Sequence, residues 1–126
     1  MNEYFEWNKF SDLYLEDSYV TNIIEYKDTL TFNMEFVLTE RHPLYTHPLF
    51  NEKYCYHTGK IIFLGVSSIK WIRKSKKNFE DAKGELDCGN IDYLNLSAEN
   101  VYKVGGDWGE LEIISSEIDL GSGLIN

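Results

Sequence analysis

The sequence predicts an all-β fold, or a β-rich α+β fold, built as an antiparallel sandwich or as a strongly curved sheet or partial barrel. Apolar and polar residues alternate over Leu30–Thr39, and a period of two indicates a strand with one buried face. Aromatic residues make up 15% of the chain, which favours strands. Short apolar segments separated by turn residues recur along the chain, as they do in sandwiches and barrels. One or two short helical turns complete the prediction.

The length and composition predict a single domain over residues 1–126. A chain of 126 residues can bury one core without disulfides or a metal. The two cysteines, Cys55 and Cys88, lie far apart and outside any Cys-x-x-Cys pair, so reduced thiols are favoured over a bridge. The sequence shows no export signal and no apolar run of about 20 residues, the length that crosses a membrane. We therefore expect a cytoplasmic protein with no membrane partner.

The N-terminal stretch over residues 5–15 is the one place where a helix competes with strands. Phe5, Phe10, Leu13 and Tyr14 are spaced so that they could line one helical face.

A β-hairpin is predicted next. Residues 19–26 are rich in β-branched and aromatic side chains, and residues 27–29 form a short turn before the alternating segment at 30–39. Along that second strand, the apolar set is predicted to face the core: Leu30, Phe32, Met34, Phe36 and Leu38.

The middle of the chain predicts a loop followed by a strand. Residues 40–58 lack periodicity and contain two prolines, which indicates a long loop or irregular edge segment. A short strand at residues 54–56 could end this segment, and a turn is expected at Gly59. Residues 60–66 form a third strand that extends towards residue 73. The isolated Gly65 within it predicts a bulge or a close approach of another backbone.

The last third predicts two or three further strands. A helical turn is expected at 78–84, followed by a strand-like segment at 85–96 that kinks at Gly89. Residues 94–97 alternatively begin a second helical turn. A short strand at 101–104 should lead into a tight turn.

The tight turn is assigned to Gly105-Gly106-Asp107, and the chain then returns as a strand over 108–114. Along this strand, alternation places Leu111 and Ile113 inside, and it places Glu110 and Glu112 outside.

Charge is unevenly distributed along the sequence. Residues 1–77 carry ten acidic and ten basic side chains, whereas residues 78–126 carry eleven acidic and two basic ones, which accounts for the whole net charge of −9. This segregation predicts an acidic sheet face that steers a basic protein partner. The alternative is an ordinary solvated surface that keeps the protein soluble. Nucleic acid is excluded as an expected partner, because binding it requires a basic face.

The predicted binding residues lie around the glycine-rich turn: Asp107, Trp108, Glu110 and Glu112. A tryptophan at a turn tip flanked by acids is a good interface anchor. The alternative for this tryptophan is a ring that folds back onto the core and closes the end of the sheet. No catalytic residue, cofactor or metal ion is predicted.

An alternative enzyme site uses three histidines that fall within sixteen residues: His42, His47 and His57. With Glu40 or Glu52 they could hold zinc, but their spacing matches no zinc-hydrolase motif. A Cys55–His57 pair could act as nucleophile and base if both lie on one strand face, yet no oxyanion hole is readable. Histidines that stabilise loop turns are the favoured interpretation.

Three segments carry a resemblance to a known class: residues 15–20, residues 60–66 and residues 105–111. Their β patterns resemble those of small bacterial proteins that include immunity proteins of contact-dependent and polymorphic toxin systems. The resemblance implies a small, acidic, cytoplasmic and non-enzymatic protein that neutralises a toxin by covering its active site. It transfers no defined residue signature to this chain.

The prediction for function is therefore a non-enzymatic protein-binding domain, of the immunity type, with a basic toxin domain as its partner. Two alternatives remain open. One is a small-ligand or metal-dependent enzyme that uses the histidine loop. The other is a structural subunit that forms a homodimer through an exposed sheet edge.

Overall fold

Six antiparallel strands carry the structure. The computed structural model describes residues 3–48, 54–74 and 89–121. Its strands are β1 (Tyr19–Tyr26), β2 (Thr29–Leu38), β3 (Cys55–Lys74), β4 (Ile91–Ala98), β5 (Val101–Gly106) and β6 (Gly109–Leu120). Two 3-10 turns precede them, at Tyr4–Glu6 and Leu15–Asp17. The described residues contain no α-helix, which confirms the all-β prediction. No helix in these ranges is long and apolar enough to cross a membrane.

All six strands belong to one sheet with the order β1-β2-β3-β6-β5-β4. The long strand β3 holds the sheet together, because its first part pairs with β2 and its remainder pairs with β6. The backbone N–H of Val20, in the edge strand β1, donates to the carbonyl oxygen of Gly89 at 2.7 Å, just before the opposite edge strand β4. The two edges therefore meet at one end. Of the predicted arrangements, the strongly curved sheet is the one observed.

The N-terminal segment, residues 3–18, fills the gap between the two edges. Its backbone continues the pairing of β2 beyond the start of β1: the N–H of Tyr14 donates to Val37 O at 2.9 Å, and the N–H of Thr39 donates to Asp12 O at 3.0 Å. At its other end Glu3 forms a bridge with Asn95 in β4. The segment thereby connects the two edges, and its buried side chains join the core: Tyr4, Phe10, Leu13 and Leu15.

The helix that competed for this segment does not form, because the segment is an irregular chain with single 3-10 turns. Phe10 and Leu13 are buried in the core, as expected, but Phe5 and Tyr14 are 55% and 42% exposed. The prediction that these four side chains share one face is therefore wrong.

The predicted hairpin is confirmed. Tyr26 pairs with Thr29 across a two-residue turn in which Lys27 adopts a φ of 54°. The five alternating apolar side chains of β2 are each no more than 2% exposed. Val37 interrupts the sequence pattern and is buried nevertheless. It lies where the N-terminal segment pairs with β2: its N–H donates to Ser18 Oγ, and its C=O accepts from the N–H of Tyr14.

Strand β3 begins earlier than predicted. Gly59 is not a turn; it lies inside β3 and pairs with Met34. The short strand expected at 54–56 is the beginning of β3, which starts at Cys55 and continues without a break. The pairing of buried Cys55 with buried Leu38 extends the ladder. Gly65 adopts a φ of +59°, and a Cβ there would lie 2.1 Å from the side-chain Oγ of Ser116. The group that approaches it is thus a side chain and not the predicted backbone, and the register shift lies next to it, between Val66 and Ser68.

The last three strands form a meander. Residues 94–97 lie in β4, so the alternative of a helical turn there is wrong. Gly106 pairs with Gly109, which moves the tight turn to Asp107 and Trp108 and leaves both preceding glycines in β5. Leu111 and Ile113 are buried as predicted. The helical turn expected at 78–84 and the thiol of Cys88 lie outside the described residues.

Candidate functional site

Trp108 is part of the core. Its side chain is 5% exposed and packs edge-on against Phe32 and Trp71, with ring centroids 5.3 and 6.1 Å away. The indole Nε1 donates to the carbonyl oxygen of Asn90 at 3.0 Å. The ring has no exposed face to offer as an interface anchor, so the alternative, a tryptophan that closes the end of the sheet, is the one observed.

Asp107 is exposed at the tip of the same turn. Its side chain lies against Gly89, where a Cβ would come within 2.7 Å of Asp107 Cβ and where φ is +95°. Asp107 is therefore accessible, but the other residue of its turn, Trp108, offers no exposed apolar surface beside it.

Glu112 lies on the outer face of β6 between two lysines. It pairs in register with Lys70 of β3 on one side and with Lys103 of β5 on the other. Opposite charges at directly facing positions of antiparallel strands attract each other. The carboxylate of Glu112 is thus set in a row of alternating charge rather than in an acidic patch.

Glu110 is also partnered. It faces Arg73 of β3, and its carboxylate accepts a hydrogen bond from the Tyr93 hydroxyl of β4. Burial, and then this hydrogen bond, raise the pKa of Tyr93 to about 12. The Arg73 guanidinium donates to the carbonyl oxygen of Gly106 at 3.0 Å. Glu110 and Glu112 therefore share their face with Lys70 and Arg73, which belong to the first 77 residues of the sequence.

The pairing of β3 with β6 relocates the acidic excess. Residues 3–48 carry nine acidic and three basic side chains, whereas Lys70, Arg73 and Lys74 of β3 pair with β6. Of the three basic residues, Lys9 is bound to Asp119 at 2.5 Å and Arg41 lies 3.8 Å from Asp12. Within the described ranges, the excess of acidic over basic residues is therefore as large in residues 3–48 as in residues 89–121, whereas the sequence predicts it for residues 78–126 alone.

A row of tyrosines lies in this acidic region. Tyr19 stacks on Tyr56 with ring centroids 6.1 Å apart, and Tyr54 meets Tyr56 edge-on at 6.2 Å. We call these three residues the tyrosine row. Glu35 faces Tyr19 across β1 and β2. Burial, the neighbouring Tyr19 and Tyr54, and the Asp17 carboxylate raise the pKa of Tyr56.

The sequence did not predict the tyrosine row. Tyr19 and Tyr56 are 37 positions apart and come together only through β2, which lies between their strands. The exposed apolar side chains Ile24 and Tyr26, 42% and 63% exposed, extend the same face along β1. The composition shows that the chain is rich in aromatic residues. Tyr19, Ile24 and Tyr26 lie on one face, however, only because of the bulge between Val20 and Asn22.

A depression of about 280 Å³ lies at one end of the tyrosine row. Tyr14, Tyr45 and Tyr54 line its sides, and Glu40 adds an exposed carboxylate. Val37, Leu38 and Cys55, all buried, line it as well. Among the described residues that line it, this depression combines aromatic rings, one acidic residue and apolar surface.

A second depression, of about 320 Å³, lies between the N-terminal segment and the last three strands. Trp7, Leu96, Tyr102 and Ile118 supply its apolar lining. Its charged residue is Lys9, a cation. The two depressions are similar in size and opposite in the sign of their charged group.

The three histidines differ in how far they are buried. His42 is 3% exposed; its Nδ1 accepts a hydrogen bond from the N–H of Leu44 at 3.0 Å, and its Nε2 has no hydrogen-bond partner among the described residues. Burial lowers the pKa of His42, the Asp12 carboxylate acts in the opposite direction, and His57 acts with the burial. His47 is exposed and meets the ring of Tyr45 edge-on at 6.2 Å.

No group of three or more His, Cys, Asp or Glu side chains placed to hold a metal ion occurs within residues 3–48, 54–74 and 89–121. Glu52, which was weighed as a ligand, lies outside these ranges. Cys55 is a free, buried thiol, and its Sγ contacts Thr46 Oγ1 at 3.8 Å. The thiol of Cys55 therefore lies at the margin of the core, between Thr46 and the β2 residue Leu38 with which it pairs.

The outer edge of β1 is partly occupied. The Val20 N–H is bonded to Gly89, and the Ile23 N–H is bonded to the side chain of Asn22 at 2.9 Å. Together with the bulge, these contacts shorten the stretch of backbone that a second strand could pair with.

Compared with known proteins, the chain matches no family model, no curated protein and no solved structure.

Proposed function

We propose that this protein is a non-enzymatic, protein-binding domain that acts as an immunity-type inhibitor by covering a basic toxin domain. The observation that carries the proposal is the tyrosine row, Tyr19, Tyr54 and Tyr56, set among the carboxylates of the N-terminal third. Tyrosines are enriched at the centres of protein interfaces, because they bring large contact area with a polar tip.

The charge around the tyrosine row supports a basic partner. Asp17 and Glu35 lie beside it, and Glu40 lies in the depression that adjoins it. Carboxylates gathered near an aromatic contact raise the rate of encounter with a basic protein, and salt screens this attraction over about 8 Å at physiological ionic strength. A partner that binds here should associate more slowly as salt is added.

The residues predicted from the sequence form a second surface. Asp107, Glu110 and Glu112 remain candidates for partner contacts, but Glu110 and Glu112 share their face with Lys70, Arg73 and Lys103. A contact there would have little net charge to steer it. We therefore assign the main contact to the tyrosine row and treat the β6 glutamates as the competing assignment.

The proposal is tested by capturing the partner and measuring its affinity. The immobilised protein is exposed to an extract of its source cell, the retained protein is identified, and its dissociation constant is measured with Tyr19→Ala combined with Tyr56→Ala. We expect the double variant to weaken binding by about 30-fold or more, as truncation of central aromatic residues does. Ile72→Ala is the matched control, because Ile72 is 50% exposed on β3 but far along the strand from the row.

Three outcomes decide the matter. A basic partner lost in the double variant and retained by Ile72→Ala supports the proposal, as does protection of cells that co-express a toxic partner. A partner that binds the double variant normally and loses affinity with Glu110→Lys and Glu112→Lys moves the contact to β6. An acidic partner contradicts the proposal.

A homodimer through β1 is the second candidate, favoured by the exposure of Ile24 and Tyr26 on this edge strand. Sedimentation of the purified protein tests it directly. A dimer that dissociates in Ile24→Lys would replace the inhibitor proposal with that of a self-associating subunit, whereas a monomer at every concentration measured removes this candidate.

A further inference from the structure

We propose that the depression beside the tyrosine row receives an arginine side chain of the protein partner. The inference rests on the proposed function and goes further, because it names the chemical group that the partner presents and the residues that hold it. Those residues are Tyr14, Tyr45, Tyr54 and Glu40.

The size of the depression selects a single side chain. Its volume of about 280 Å³ lies just below the roughly 300–1,000 Å³ of pockets that enclose drug-sized ligands. The buried side chains of Val37, Leu38 and Cys55 line it together with the tyrosines. A long side chain with an apolar stem and a polar head fits this combination, because the stem can lie on apolar atoms while the head reaches the carboxylate.

The chemistry of the walls selects a cation. The electron-rich faces of tyrosine rings attract cationic groups within about 6 Å, and the Glu40 carboxylate can accept two parallel hydrogen bonds from one guanidinium. Arginine suits such a place better than lysine, because its planar head stacks on rings, is weakly hydrated and matches a carboxylate in shape.

The second depression differs from the first in its charged residue. It is as large and as aromatic, with Trp7 and Tyr102 in its lining, but its charged residue is Lys9 instead of a carboxylate. Lys9 is paired with Asp119, and among the described residues no carboxylate lines this depression to bind an incoming cation. If aromatic surface alone decided the ligand, the two depressions would bind alike; charge makes them differ.

The nearby cation Arg41 leaves the depression open to an incoming arginine. Its Nε lies 3.8 Å from Asp12 Oδ1 and its side chain is 79% exposed, so it is directed to a carboxylate other than that of Glu40. Asp12 thereby offsets the one positive charge next to Glu40 in the sequence.

The test uses N-acetyl-arginine methylamide as the probe, titrated into the isotope-labelled protein and followed by nuclear magnetic resonance. We expect saturable shifts at Tyr14, Tyr45, Tyr54 and Glu40, with millimolar affinity. The citrulline analogue, which has the same shape without the charge, should bind at least about fivefold more weakly, as the loss of a cation–π contact and of a charged hydrogen bond requires. The indole signal of Trp7 reports on the second depression and should not move.

Two variants keep the inference falsifiable. Glu40→Gln removes the charge from an exposed position, where folding is insensitive to it, and should weaken the arginine probe about threefold or more. Tyr45→Leu removes one ring from the loop and should weaken it about two- to fivefold. Equal binding of arginine and citrulline, or shifts unchanged in both variants, would overturn the inference.

The failure of this inference is distinguishable from the failure of the proposed function. The probe titration needs no partner, so it reports on the depression alone. If the captured partner depends on Tyr19 and Tyr56 but binds Glu40→Gln and Tyr45→Leu as it binds the wild type, the proposed function holds and the arginine site is wrong.

Discussion

Trp108 illustrates how one side chain can serve the core at a position that looks like a surface anchor. A two-residue turn between glycines places the residue at a tip, yet the indole turns inward between Phe32 and Trp71 and satisfies its N–H on Asn90. The close approach is possible because Gly106 lacks a Cβ; one there would lie 2.8 Å from the indole nitrogen.

Replacing Trp108 with Ala should therefore lower the free energy of unfolding by about 3–5 kcal/mol, as expected for a buried tryptophan. Chemical denaturation measures this loss. Asp107→Ala, at the exposed neighbour, is the control and should change stability by less than about 0.5 kcal/mol. A Trp108→Ala protein as stable as the wild type would mean that the ring is not packed as described.

His42 gives the protein a pH-dependent stability. Burial lowers the pKa of its imidazole in the folded state, whereas in the unfolded chain the pKa is about 6.5. Below about pH 6.5 the unfolded state binds a proton that the folded state resists, so the contribution of His42 to stability is complete above this pH and is lost as the pH falls further. The Asp12 carboxylate reduces the effect and His57 increases it.

Unfolding curves recorded between pH 5 and pH 7.5 test this account. His42→Asn retains an acceptor for the Leu44 N–H without titrating, and we expect it to flatten the decline of stability towards acid pH. His47→Asn, at an exposed position, should leave the decline as it is in the wild type. The reverse pattern would assign the pH dependence to another group.

At the scale of elements, the β2 strand shows how far sequence periodicity reaches. Phe36 is fully buried, and its neighbour Glu35 points to the opposite face. We expect Phe36→Ala to cost about 3–5 kcal/mol of unfolding free energy and Glu35→Ala to cost little. Equal losses in the two variants would contradict the assigned register.

The outer face of β6 is a charge ladder, and its energetics can be measured. Glu112→Lys would place three cations in a row with Lys70 and Lys103, and each like-charged pair should destabilise the sheet by about 0.2–1 kcal/mol. Adding Lys70→Glu to Glu112→Lys should restore much of the loss, and the non-additivity of the double-mutant cycle gives the coupling. Additive effects would show that the facing charges do not interact.

Local patterns predicted the elements, and long-range pairing decided the surface. The hairpin and the burial of alternate residues in β2 follow from neighbours in the sequence, since side-chain alternation is a local property. The extension of β3 through Gly59 depended on Leu38 and Cys55, which pair across a loop. A glycine satisfied by a cross-strand partner looks the same in the sequence as a glycine in a turn.

The candidate site was harder to predict than the elements for the same reason. The order of residues along the chain predicts an acidic face at β6. In space, however, Lys70 and Arg73 of β3 lie beside the glutamates of β6. The tyrosine row needs three elements in register before its rings touch. Residue types alone could indicate an acidic protein rich in tyrosine, and no more than that.

At the scale of the whole molecule, the curved sheet and its N-terminal segment separate two kinds of surface. The face built by β3, β6 and β5 carries interleaved charges. The region built by residues 3–48 carries an excess of six carboxylates over basic side chains and adjoins the tyrosine row. Among the residues that the structure describes, the division of charge therefore follows the topology β1-β2-β3-β6-β5-β4, with a largely neutral side and an acidic, aromatic side.

The central claim, that the tyrosine row is the contact for a basic protein partner, is tested most directly by site-specific photocrosslinking. A photoreactive phenylalanine is introduced in place of Tyr19, or in place of Ser97 on the exposed end of β4 as the control, and the protein is irradiated in its source cell. We expect one covalent adduct from position 19, with a protein of net positive charge, and none from position 97. No adduct at position 19, or the same adduct at both positions, would contradict the account.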